Sequence, residues 1–111
     1  MAIQPHELRY VEGDTLPSMQ GTLTNDDGTA VDLADTVVTV HIQYETPLVK
    51  TATITDAPGG RFLVVWEPTD LIAGKWAYEI QLADLSGGIR TINRFPATDK
   101  LLTLSIDPQI A

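Results

Sequence analysis

The chain has 111 residues, no cysteine, and 15 acidic against 7 basic side chains, for a formal charge of −8. That length makes one domain with one core, held by neither disulfides nor a thiolate metal site. The acidic balance argues against nucleic acid, no apolar run is long enough to span a membrane, and MAIQPHELRY is not a secretion signal.

In chain order, residues 1–7 read as an amino-terminal arm and Leu8 to Glu12 as a weak strand. SMQGTLT, from Ser18 to Thr24, alternates Met19 and Leu23 onto one face with Gly21 between them. A glycine inside a strand marks a bulge or a close backbone approach. Asn25-Asp26-Asp27-Gly28 is a turn signal. TVVTVHIQY then places Val38, Val40, Ile42 and Tyr44 on one face, opposite Val37, Thr39, His41 and Gln43. Leu48 to Thr55 is a further weak strand, broken by Asp56-Ala57-Pro58-Gly59-Gly60. RFLVVW offers Phe62, Val64 and Trp66 to a core. In Pro68–Gly74, Thr69 is placed to cap one helical turn that Gly74 ends. WAYEIQLA puts Trp76, Tyr78, Ile80 and Leu82 on one face, and Asp84-Leu85-Ser86-Gly87-Gly88 turns the chain. Ile89 to Phe95 and Leu101 to Ile106 complete the set, and residues 108–111 form a tail. About seven to eight short antiparallel strands over residues 8–107, rich in threonine and nearly free of helix, predict an all-β sandwich.

The acids and histidines do not assemble into a catalytic pattern. Asn25, Asp26 and Asp27 are adjacent rather than alternate, and Ala34 stands six residues after Gly28, where an EF-hand loop needs glutamate. The stretch reads as a hairpin turn, with a calcium site on Asp26, Asp27 and Asp32 as the lesser alternative. The glycines do not follow phosphate-loop spacing, and no basic residue lies nearby to hold a phosphate. His41 falls on the polar side of its strand and His6 in the arm, with no metal-ligand spacing between them. Ser18, Ser86 and Ser105 lack a nucleophile-elbow context. No catalytic residue, metal or cofactor is assigned, and the expectation is a protein that is not an enzyme. Trp66, Trp76, Tyr44 and Tyr78 fall on the apolar sides of their strands, which favours core packing over a sugar-stacking platform.

The outward positions are less ordinary. Val37, Leu63 and Val65 alternate outward yet are apolar. If their strands are neighbours, they form a patch fit for a protein contact; a loop covering RFLVVW on both sides is the other reading. Ile3 and Pro5 in the arm are further interface candidates.

The order Gly13-Asp14, Pro17, Gly21-Thr22-Leu23-Thr24, Asp27-Gly28, Val31-Asp32-Leu33, followed by TVVTVHI, carries a resemblance. So does the later series Gly60, Phe62, Trp66, Pro68, Thr69-Asp70, Gly74, Trp76 and Glu79. Together they resemble the immunoglobulin-like domain at the start of phage baseplate upper proteins and related phage tail-protein domains. The likeness runs from about Glu12 to Leu85. Thr29-Ala30 stands where proline is frequent in that family. The helical and receptor-binding parts with which family members usually continue are not in this sequence, which puts direct host recognition in doubt. The resemblance implies an immunoglobulin-like β-sandwich that serves as a bacteriophage virion structural protein of the tail or baseplate. Such a protein is made in the host cytoplasm and located in the particle. Its partners would be other phage virion proteins, with a homo-oligomer as one option, and neither nucleic acid nor a membrane. A capsid decoration protein of the same fold and, less favoured, a small carbohydrate-binding module are the alternatives.

Overall fold

The computed structural model describes residues 2–4, 8–15, 18–25, 27–92 and 102–108. It is all-β, with ten strands among the described residues. They are β1 (Ala2–Gln4), β2 (Leu8–Val11), β3 (Met19–Thr24), β4 (Thr36–Ile42) and β5 (Leu48–Thr51), followed by β6 (Thr53–Asp56), β7 (Arg61–Val64), β8 (Gly74–Asp84), β9 (Ile89–Ile92) and β10 (Thr103–Asp107). One sheet has the order β1-β3-β7-β6. The other runs β2-β10-β8-β4-β5, with β9 paired to the second half of β8.

The strand count exceeds the expected seven to eight because the chain changes sheets in mid-run. Leu48 to Thr55, expected as one strand, is two: β5 pairs with β4, and β6 pairs with β7 in the other sheet. The crossing falls at Ala52, whose N–H still bonds the Val38 carbonyl at 2.8 Å. A second change of sheet separates β1 from β2. Residues 2–4, expected in the arm, pair with β3, whereas β2 runs parallel to β10. That parallel pair departs from the expected all-antiparallel arrangement. The helical turn expected over Pro68–Gly74 is also replaced. Asp70, not Thr69, is the capping side chain, its carboxylate accepting the Glu67 N–H at 2.7 Å across a single tight turn.

Period-2 alternation decides what is buried. Met19, Leu23, Phe62 and Val64 from one sheet meet Val38, Val40, Ile42, Tyr78, Ile80, Leu104 and Ile106 from the other, all nearly without solvent exposure. Burial of one such side chain is worth about 1.5–3 kcal/mol. Gly21 faces the same interior opposite Phe62. A β-carbon at Gly21 would collide with the Phe62 ring. Of the two readings of this glycine, close approach is the one observed.

Candidate interaction surface

Of the five interface candidates, the structure does not bring Val37 together with Leu63 and Val65. Val37 lies on β4 and Leu63 on β7, in different sheets. Val37 and Val65 are about half exposed, at 51% and 55%, and Leu63 is half-buried between Gln20 and Thr53. Ile3 pairs with Leu23 along β1, and Pro5 lies outside the described residues. Val37 and Val65 are exposed and Leu63 half-buried, as their outward positions require, but alternation carries no information about which strands are neighbours.

Val37 has other company. It stands directly opposite Ala83 on β8, and Ala83 stands opposite Ile89 on β9. Residues directly opposite in an antiparallel pair share a face, so the three form an apolar row across the outer side of the six-stranded sheet. Ile89 is 70% exposed, and Leu85, at the tip of the β8–β9 hairpin two residues past Ala83, is 82% exposed. Among the described residues these two are the most exposed large apolar side chains. The sequence reading passed over both, although a leucine inside a turn of Asp, Ser and Gly is itself a signal, since turns normally carry no large apolar residue.

The hairpin tip is firmly built. The Asp84 carboxylate accepts the Ser86 N–H at 3.0 Å, the Ser86 hydroxyl at 2.7 Å and the Gly88 N–H at 2.8 Å. The Ser86 hydroxyl, followed by the Gly88 N–H, holds this carboxyl below its usual range. The backbone adds Asp84 N–H to the Gly88 carbonyl at 3.0 Å, and Gly87 N–H to the Asp84 carbonyl at 3.2 Å. The chain invests one acid in holding Leu85 out to solvent.

The acids proposed for calcium are also used locally. Asp27 Oδ1 accepts the Thr29 hydroxyl at 2.6 Å and the Thr29 N–H at 3.0 Å, which lowers its pKa, the hydroxyl contributing most. Asp32 Oδ1 accepts the Ala34 N–H at 2.9 Å. Gly28 N–H bonds the Asn25 carbonyl at 2.9 Å, closing the turn. Asp26 lies outside the described residues, as does His6. His41 Nε2 shares a hydrogen bond of 2.9 Å with the Thr39 hydroxyl. Among the described residues, no three His, Asp or Glu side chains are gathered to hold a metal.

At the other end of the sheets, the β7–β8 connection is clasped to the body. The Tyr44 hydroxyl donates to the Asp70 carbonyl at 2.7 Å and accepts the Ile72 N–H at 3.3 Å. Lys50 Nζ reaches the Asp70 carboxylate at 2.7 Å. Trp76 packs edge-on against Tyr44, ring centroids 5.0 Å apart, and its Nε1–H donates to the Ile72 carbonyl at 2.8 Å. Trp66 is buried and meets Tyr10 edge-on at 5.5 Å. Three of the four aromatics considered as a sugar platform are buried and Trp76 is half-buried. They brace this loop and the core.

Neither the family models nor the curated proteins contain a match to this chain.

Proposed function

We propose that this chain is an immunoglobulin-like structural module of a bacteriophage virion, placed in the tail or baseplate, that works through protein–protein contact. The observation that carries the contact reading is the row of exposed Val37, half-buried Ala83 and exposed Ile89, with Leu85 beside it, on the outer face of a sheet whose inner face packs the core. Exposed apolar side chains that are contiguous and held on a rigid frame mark contact surfaces more often than scattered ones do.

The immunoglobulin-like part is supported by strand order. In that fold the first, second, fifth and fourth strands form one sheet, and the third, sixth and seventh form the other. With β1 and β2 as two halves of the first strand, β9 and β10 as two halves of the last, and β5 as an added edge strand beside the third, β1-β3-β7-β6 and β10-β8-β4 follow the same neighbours. The phage part rests on the ordered residues from Gly13 to Glu79 quoted above.

The test is to purify particles of the phage that encodes the chain, quantify the chain by mass spectrometry, and localise it with gold-labelled antibody. Label at the tail tip supports the reading. Label distributed over the head transfers the module to capsid decoration, and absence from purified particles overturns a virion role.

A further inference from the structure

We infer that the end of the six-stranded sheet formed by Val37, Ala83, Ile89 and Leu85 docks on a different protein, one whose contact face is apolar at its centre and basic at its rim, rather than on a second copy of this chain. The inference rests on the contact reading above and specifies the partner. Three observations carry it.

The first is concentration of apolar surface. Val37, Leu85 and Ile89 are three of the seven large apolar side chains that stand exposed among the described residues, and all three lie at one end of one sheet. The second is charge. The connections at this end are tied to one another, with Leu33 N–H bonded to the Ala57 carbonyl at 2.9 Å and Val31 N–H to the Leu23 carbonyl at 3.0 Å. Among the described residues, they and the strand ends beside them carry Asp27, Asp32, Asp35, Asp56 and Asp84 against only Arg61 and Arg90. Asp84 adjoins Ala83 directly in the chain, and Asp35 stands two residues before Val37. Arg61 stands opposite Asp56 in the strand register, and Arg90 stands opposite the buried Leu82, so it alternates away from the face that carries the row.

The third is the consequence of symmetry. A dimer through this face would be isologous, placing the same acidic rim against itself. In a chain of charge −8, that juxtaposition is unfavourable, because like charges across an interface suppress the wrong partner. A partner with lysine and arginine around an apolar recess satisfies both features. Leu85, held out by the Asp84 turn, is the side chain shaped to enter that recess, and the carboxylates speed and orient the encounter.

Two measurements decide it. Light scattering of the purified chain across concentration at physiological salt should give the monomer mass. A dimer that disappears in the double variant Leu85→Ser/Ile89→Ser would make a second copy the occupant and overturn the proposal. Phage particles are then assembled with wild type, with Leu85→Ser/Ile89→Ser, and with Asp32→Asn/Asp35→Asn, a pair that keeps the local hydrogen-bond acceptors while removing two charges. All variants are first checked for an unchanged melting transition, and Leu63→Ser on the opposite sheet serves as the control. Incorporation should fall about tenfold or more for the apolar double variant, the loss expected when hot-spot side chains are truncated. It should fall less, and lose its dependence on salt, for the charge variant. If wild type enters particles and both variants enter equally well, the docking face is wrong while the virion reading stands. If wild type does not enter particles, both fall.

Discussion

The clasp on the β7–β8 connection offers the sharpest stability prediction. Asp70 is 7% exposed, and its carboxylate serves two donors at once, the Glu67 N–H and Lys50 Nζ, each at 2.7 Å. Removing one partner of a buried ion pair costs about 3–5 kcal/mol, because the other charge is left without compensation in a poorly solvated place. The Lys50 side chain retains 18% of its exposure, so water takes up part of that loss. About 2–3 kcal/mol is therefore expected for Lys50→Met. In a domain of this size that corresponds to a fall in melting temperature of about 8–12 °C. Asp70→Asn keeps an oxygen for the Glu67 N–H but strands the lysine, and should cost about 1–2 kcal/mol. The double variant removes both charges, so it should be more stable than the sum of the singles predicts by at least about 1 kcal/mol. Urea unfolding at pH 7, with unchanged m, measures all three. Single variants within about 0.5 kcal/mol of wild type, the range of ordinary surface substitutions, or a strictly additive double, would refute the view that this pair holds the loop.

Three further substitutions test other parts of the fold. Gly21→Ala should destabilise by about 1–3 kcal/mol despite the better strand propensity of alanine, because the new methyl must displace the Phe62 ring; Gly21→Ala/Phe62→Leu should recover part of the loss in the same urea titration. Tyr78→Phe should be within about 0.5 kcal/mol of neutral at pH 7 or mildly stabilising, since the hydroxyl is buried without a hydrogen-bond partner among the described residues. Burial, and then the nearby Tyr10, raises the Tyr78 pKa above 10.0. The folded state therefore keeps a proton that the unfolded state loses, and stability present below pH 10 declines as pH rises beyond it; the Phe variant should decline less steeply. Asp84→Ala should accelerate amide hydrogen exchange at Ser86 and Gly88 without altering exchange in β4. Because the Asp84 pKa is lowered from 3.8, wild type should lose the same protection as pH falls below that value.

How much of this was legible in advance divides along a physical line. Alternation is a local property, and it correctly placed Val38, Val40, Ile42, Phe62, Val64, Trp66, Tyr78, Ile80 and Leu82 inside, because a strand's facing depends only on its own period. The close approach at Gly21 was half legible for the same reason, since a glycine on an inward position is already a statement about space. The capping side chain of the Glu67–Asp70 turn was misassigned because threonine and aspartate are both good caps, and only the position of Lys50 selects Asp70. The sheet changes at Ala52 and between β1 and β2 were not legible, since nothing in a short alternating run states which sheet it joins.

The proposed contact surface did not appear in the sequence for this last reason. Val37, Leu63 and Val65 satisfy the same local rule, outward and apolar, and a local rule cannot separate them. Pairing does. The register that sets Val37 against Ala83, and Ala83 against Ile89, joins positions 37 and 89 across three strands. Each of those residues is unremarkable alone, since single exposed apolar side chains are common on folded proteins. Leu85 differs, because the hairpin spends all of the hydrogen bonds of the Asp84 carboxylate on a turn whose tip is an 82% exposed leucine. A turn needs only to reverse the chain, and a glycine or serine at that tip would cost nothing in solvation. The combination of a rigid turn and a large apolar tip beside an apolar row is therefore what the proposed docking face rests on, and it is a property of pairing and turn geometry together.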